Sequence, residues 1–338
     1  MNFNLKNGGL NRRQFLNRLA KAGVSVTAAC MAGFWFHDPR GPAVSGKKNS
    51  DLTRFDFAIQ GLEPEMSIIQ GVDRAATLRM GLKCLGGIET FIHKGDRVLL
   101  KVNAAFATPP MLSATTHPAV VSEMARLCLK AGAASVVVTD NPINDPASCF
   151  SLTGIEEAAQ EGGAEVILPR EDLFTPMTVK DAKLIRDWPI LSRPLNGITK
   201  VIGMAPLKDH HRSGASMTMK NWYGLLGGRR NIFHQDIHNI IKELALMVKP
   251  TFVVLDATTA MMTNGPTGGS LSDLRNTHTM IVSTDQVAAD AYGASLLGRS
   301  LDQLPFIKKA EVAGAGTADY LKLRLFRTSV GPAAPEAP

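Results

Sequence analysis

The chain has 338 residues, 45% apolar and 20% charged, which excludes a disordered or fibrous protein and leaves room for a sizeable core. The formal charge of +7 is not a nucleic-acid signal. Residues 1–45 hold six Lys/Arg and one Asp, so the remainder carries 31 basic and 29 acidic residues, or +2, and no basic patch interleaved with aromatics replaces them.

The chain opens with N-R-R-Q-F-L (11–16), an apolar run over 22–36 and A-V-S at 43–45. Charged region, apolar region and small-residue cleavage site in that order, with Arg12 and Arg13 paired, predict a twin-arginine export signal over 1–45. The apolar run is shorter than the ~20 residues of a bilayer span. A periplasmic or otherwise exported protein is therefore expected, with the twin-arginine translocase as its partner during export. It would be membrane-anchored only if the signal is retained or Cys30 is lipidated. That route carries folded proteins, and so suits a chain that acquires a cofactor or partner first. Cys84, Cys128 and Cys149 are widely spaced with no C-x-x-C, so no iron–sulfur cluster is expected from them; a bound metal held by other residues stays open.

Residues 46–66 lack periodicity and are expected as a linker or arm. From there short β-branched runs alternate with helical patterns. R-V-L-L-K-V (97–102) predicts a strand, and T-H-P (116–118) opens a helix to about Lys130, with Pro118 in its first turn. Strands follow at 135–140 and 164–168, with a helix at 154–161 between them. Beyond an irregular, Pro-rich stretch come strands at 199–204 and 251–256 around a helix at 236–248, then a strand at 279–283 and a helix at 285–297 closed by Gly298. This alternation predicts an α/β fold, Rossmann-like with insertions: a mostly parallel sheet with helices on both faces, over residues 67–325. Residues 326–338 are expected as a flexible tail.

The predicted strands run into polar residues at their C-terminal ends: Lys101 and Asn103, Asp140 and Asn141, Lys208 to His211, Asp256, and Thr284 with Asp285. In a parallel sheet these ends share one edge, where ligands bind at the switch in strand order. Lys101 is the least expected of them, because a lysine inside an apolar strand is rarely buried unpaired. Asp285 suits a helix start as well as a ligand contact. The stretch L-K-D-H-H-R-S-G-A-S-M-T-M-K-N-W-Y-G-L-L-G-G (207–228) concentrates the chemistry. Lys208 and Lys220 are catalytic candidates that bind or polarise an anion, His210 is the acid/base candidate, and glycines let backbone N–H groups approach a ligand. Lys101, Asn103, His117, Asn221, Gly265 and Asp285 are candidates for substrate binding. Gly265 opens the turn G-P-T-G-G, which is no phosphate loop because no Lys-Ser/Thr follows. His234 and His238, four apart on an expected helix with Asp236 between them, form a weak metal-ligand pair that His210 or His211 would strengthen.

The ordered motifs L-L-K-V-N (99–103), T-T-H-P (115–118), A-P-L-K-D-H (205–210), M-K-N-W-Y-G-L-L-G (219–227), His234, N-G-P (264–266) and T-D-Q-V-A-A-D-A (284–291) resemble the DUF362 family of unknown function over roughly residues 95–315. The resemblance implies an α/β fold and points to Lys101, Asn103, His117, Lys208, His210, Lys220, Asn221, His234 and Asp290 as shared positions. It implies no reaction. Some relatives carry a fused ferredoxin-type segment, which this chain lacks. Two readings follow: an enzyme acting on a small anionic organic molecule, with a metal, redox cofactor or redox partner protein compatible with it, or a binding or maturation protein for a metal, cofactor or acidic ligand.

Overall fold

The computed structural model describes residues 12–35, 50–52 and 54–331. Eight strands form the body of the main sheet: β1 (Glu65–Gln70), β2 (Arg97–Lys101), β3 (Ser135–Thr139), β4 (Glu165–Ile167), β5 (Lys200–His210), β6 (Phe252–Met261), β7 (Thr279–Ser283) and β8 (Arg324–Ser329). They lie in the order β8-β1-β7-β6-β5-β2-β3-β4. Every neighbouring pair is parallel except the two that β7 makes, with β6 and with β1. Helices α1 (Arg12–Trp35), α2 (Arg74–Cys84), α3 (Pro118–Lys130), α4 (Pro146–Leu152), α5 (Ile155–Glu161), α6 (Thr218–Asn221), α7 (Ile237–Met247), α8 (Gln286–Leu296) and α9 (Pro305–Val312) complete the frame.

Alternation along the strands creates two cores, because successive side chains leave a strand on opposite faces. Val98, Leu100, Val136, Val138 and Val254 pack with buried residues of α2, α3 and α5. Leu99, Val137, Val201, Val253 and Leu255 face the other way and pack with α7, α8 and α9. Burial on both faces explains why these strands read as continuous apolar runs. Helices thus cover both faces of a mostly parallel sheet, the Rossmann-like arrangement the alternation predicts.

The chain advances outward from β2 through β3 to β4, then returns to lay β5 on the opposite side of β2. The gap between the ends of β2 and β5 is therefore a switch point in strand order, the usual ligand crevice of such sheets. Lys101 of β2 pairs with Gly203, so β5 extends seven residues beyond its neighbour. The overhang is held by an antiparallel pairing of Gly214–Ser216 with residues 208–210. That turns the polar run K-D-H into strand and fixes Lys208 and His210 on one face, with Asp209 on the other.

Three segments differ from expectation. Within 46–66, Ser50–Leu52 pairs with Met177–Val179, Phe55–Asp56 pairs with Val248–Lys249, and Glu65 already belongs to β1. The segment is therefore attached by backbone pairing at three places. Residues 326–329, expected in the tail, are strand β8 on the edge of the sheet. Strand β7 runs antiparallel to β6, with Ser283 opposite Val253, so Thr284 and Asp285 lie at the edge where β6 begins, away from the switch point. In α1 no residue is buried, and no helix among the described residues is long and apolar enough to cross a membrane. The expected cleavage site at 43–45 lies outside the described residues.

Candidate functional site

A cleft of about 1110 Å³ opens over the switch point, lined by Asn103, Lys208, His210, Lys220, Asn221 and His234 among others. Its volume suits a small organic molecule. Apolar surface comes from Phe106, Ile143, Phe174 and Ile232, and one side carries the Tyr223 ring.

Beneath the cleft lies a closed polar floor. Lys101 is fully buried and its Nζ pairs with Asp140 Oδ1 at 2.6 Å, while donating to the carbonyls of Val102 at 2.7 Å and Asn221 at 2.9 Å. Burial pulls the Lys101 ammonium below the usual lysine range and Asp140 opposes that. Asp140 Oδ2 also accepts from Ala104 N at 2.7 Å. Asn221 Nδ2 donates to the carbonyls of Lys101 and Met204, tying β2 to β5. Gly224 completes the floor, because a Cβ there would overlap the Asp140 carboxylate and come within 2.7 Å of Lys101 Nζ. This accounts physically for the glycine in K-N-W-Y-G. Lys101, expected to bind substrate, instead satisfies the fold, and Asn221 lines the cleft with its amide donors already engaged.

The wall above is different. Lys208 Nζ is buried, donates to the Ala114 carbonyl, lies 3.5 Å from Asn103 Oδ1 and sits 5.1 Å from the centre of the Phe106 ring. Lys220, at the end of α6, is half-buried with its Nζ 5.1 Å from the centre of the Tyr223 ring. Neither lysine has a carboxylate partner among the described residues. Burial, then neighbouring Lys220, brings Lys208 down to about 7 against the more distant Asp140; burial, then Arg230, brings Lys220 down to about 7. Arg230 adds a further cation, held by the carbonyls of Tyr223, Leu226, Asn141 and Pro142 rather than by an acid. Of the acids lining the cleft, Asp140 is bound to Lys101 and Glu171 is exposed.

Three imidazoles continue this wall in a stack, His210 over His211 at 5.1 Å and over His234 at 5.8 Å. His210 Nδ1 accepts from the backbone N–H groups of Arg212 and Ser213, at 3.2 and 3.3 Å. An accepting Nδ1 places the proton of neutral His210 on Nε2. Burial, followed by Lys220, His234, Lys208 and His211, pushes His210 down to about 2, so it is neutral at physiological pH. His234 has the opposite arrangement. Its Nδ1 lies 3.1 Å from the Asn231 carbonyl, which can only accept, so Nδ1 carries the proton and Nε2 keeps its lone pair. Tyr223 Oη, 3.3 Å away, donates its own proton to the Arg230 carbonyl and is left to accept from the same Nδ1–H. Burial and Lys220 push His234 down to about 4, against the Asn231 bond.

Several expected residues are not part of this cleft. His117 caps α3 through Nδ1, which accepts from Ala119 N at 3.2 Å, and Asp285 caps α8, accepting from Val287 and Ala288 N–H at the opposite edge. Gly265 anchors a loop: its N–H donates to Asp209 at 2.9 Å and a Cβ would overlap the Asp209 backbone, while Pro266 and Thr267 line the cleft in its place. His234 falls in a 3-10 turn (Arg230–Asp236) before α7, so its spacing to His238 is not one helical turn; His238 stacks on Phe306 at 6.2 Å. Among the described residues no group of three His, Cys, Asp or Glu side chains could hold a metal ion. Tyr223 and Phe106 were not anticipated; an aromatic inside K-N-W-Y-G was the available signal for Tyr223, and a lone Phe after β2 gave none. Asp290, a shared position of the resemblance, is fully buried and accepts from Thr218 N, Thr218 Oγ1 and Met219 N, which fixes the short helix carrying Lys220.

Over 252 residues, 71% of this chain and 74% of the relative, the sequence is 26% identical to the thylakoid-associated protein sll1697 of Synechocystis sp.. Residues 98–295, from β2 into α8 and so including the strands and turns that build both floor and wall, match the domain of unknown function DUF362. The chain belongs to the DUF362 family.

Proposed function

We propose that the cleft binds a small anionic organic molecule and performs acid/base chemistry on it. One observation carries this reading: Lys208 and Lys220 line the same cleft, largely removed from water, without an ion-paired carboxylate among the described residues to neutralise either. Uncompensated buried charge is costly, and an anionic ligand supplies the missing partner. The histidine tautomers divide the roles. His210 offers Nε2–H to an oxygen of the ligand, and His234 Nε2 is the base, so His234 takes the acid/base role that the sequence pattern suggests for His210. Bound negative charge raises the pKa of every cation and imidazole around it, bringing His234 toward the range where proton transfer at neutral pH is efficient.

The test is a calorimetric screen of mono- and dicarboxylates and phosphate esters against the whole chain, followed by turnover assays on the compounds that bind. His234→Ala should abolish turnover while affinity stays within about tenfold, since a base contributes to the transition state more than to ground-state binding. Binding without turnover of any compound would leave a binding protein; no binding at all would remove the reading. Residues 1–45 are proposed as the export signal on the order of their charged, apolar and small-residue segments. Arg12→Lys with Arg13→Lys should then leave the folded protein in the cytoplasm, as read by cell fractionation.

A further inference from the structure

Lys208 and Lys220 share a wall but not an environment. Lys208 is held as a hydrogen-bond donor, its Nζ buried between the Ala114 carbonyl, Asn103 Oδ1 and the Phe106 ring. Lys220 is more exposed, and its Nζ makes no hydrogen bond to protein among the described residues and lies over the face of Tyr223. Its backbone, by contrast, is rigidly placed, because Asp290 fixes the first turn of α6 and Asn221 next to it is tied to β2 and β5. Two cations flank it electrostatically, Lys208 and Arg230. A half-buried lysine amine, fixed at its root, free at its tip and flanked by like charge, is the arrangement that favours the neutral, nucleophilic form.

The geometry points to Lys220 as a nucleophile that forms an imine with the carbonyl carbon of an anionic aldehyde or ketone, the acid group of the substrate resting against Lys208 and against Arg212, an exposed cation that also lines the cleft. This rests on the anion-binding reading above and gives it a substrate class: 2-oxo acids, or aldehydes carrying a phosphate or carboxylate. Lys220 Nζ adds to the carbonyl carbon as the carbon–oxygen π bond opens, with His210 Nε2–H donating to the developing alkoxide. One amine proton passes through His234 Nε2 to that oxygen, giving a carbinolamine. His234 Nε2 then takes up a second proton from solvent and delivers it to the hydroxyl, which leaves as water, and an iminium remains. Amine, carbonyl and one proton give iminium and water, so no oxidant or reductant is needed. The iminium then draws electrons from the adjacent carbon, which activates that carbon for proton loss, carboxylate loss or carbon–carbon bond cleavage.

The experiment uses the full chain with pyridoxal 5′-phosphate, an anionic aromatic aldehyde, and with pyridoxine 5′-phosphate, the matching alcohol that cannot form an imine. Borohydride reduction followed by peptide mass mapping locates the adduct, and calorimetry follows binding of the alcohol. The expected result is one adduct per chain on Lys220, forming at least about tenfold faster at pH 7 than on any other lysine: faster than on surface lysines because its amine is more often neutral, and faster than on Lys208 because the Lys208 Nζ is buried and bonded to the Ala114 carbonyl. Lys220→Arg should lose the adduct yet keep the alcohol within a few-fold, because the positive charge is retained. Adducts spread over surface lysines, or placed on Lys208, while the alcohol still binds, would overturn the role of Lys220 and leave the anion-binding reading standing. If the Lys220 peptide stays unmodified and neither compound binds, both readings fall for this class of ligand. Circular dichroism of Lys220→Arg separates these outcomes from loss of the fold.

Discussion

The floor and the wall of the cleft contain the same residue types, and they behave in opposite ways. In the floor, Lys101 has a carboxylate at 2.6 Å and two carbonyls, so its charge is complete within the chain. In the wall, Lys208 has a carbonyl and a ring contact and Lys220 a ring contact, and neither forms an ion pair with a carboxylate among the described residues. A buried lysine with a full set of partners maintains the fold, whereas one lacking an anion is a site waiting for a ligand. The comparison can be broken by making one region behave like the other.

The largest effect is expected in the floor. Lys101→Met leaves Asp140 buried without its cation and should cost about 3–5 kcal/mol of stability, read from denaturant unfolding. Lys208→Met and Lys220→Met, with no buried carboxylate left behind, should leave stability unchanged or raise it. A loss at Lys208 as large as at Lys101 would erase the distinction between the regions.

Next in size is the effect of the wall on binding. Each of those two substitutions should weaken an anion that binds the parent by roughly ten- to a hundredfold, the value of a charge-assisted hydrogen bond of about 1.5–3 kcal/mol. Equal affinities across parent and variants would place the anion elsewhere.

A pH series sharpens the contrast further, because the two quantities should move in opposite directions. Without ligand, the wall lysines titrate at about 7 when folded and about 10.4 when unfolded, so the unfolded chain binds more protons in between. Their contribution to stability therefore rises as pH climbs from 7 toward 10, and this rise should be absent from the Lys208→Met/Lys220→Met variant. Anion binding requires the protonated lysines, so affinity should be level below about pH 6 and fall above 7 by about tenfold per pH unit for each lysine that must regain its proton.

The smallest effect tests the far edge. Asp285→Ala removes the cap of α8 and should cost about 1 kcal/mol of stability, with affinity for the anion unchanged. A change in affinity would return Asp285 to the site.

Much of this molecule was legible in the chain. Apolar runs of five or six residues alternating with amphipathic helices specify strands and crossovers locally, which is why β2, β3, β7 and helices α3, α5 and α8 fall where the pattern puts them, while α4 was not expected. The run K-D-H at 208–210 contains little that marks a strand, and it becomes one through pairing with residues 214–216 and, at Lys208, with Met261. Likewise Glu65–Gln70 sits inside the sheet because it bridges β7 and β8, both more than 200 residues later in the chain.

The sequence by itself determined the fold class, the family and the concentration of Lys, His and Asn at strand ends, because these depend on residue type and short-range spacing. Tertiary structure alone decided which of those residues are free. A lone sequence cannot show that Asp140, just after β3, reaches Lys101 of β2, that β7 runs backwards and carries Asp285 to the opposite edge, or that a carbonyl and a pair of backbone N–H groups give His234 and His210 opposite tautomers. Charge compensation and proton position are set by neighbours a few ångströms away in space, and those neighbours come from distant parts of the chain.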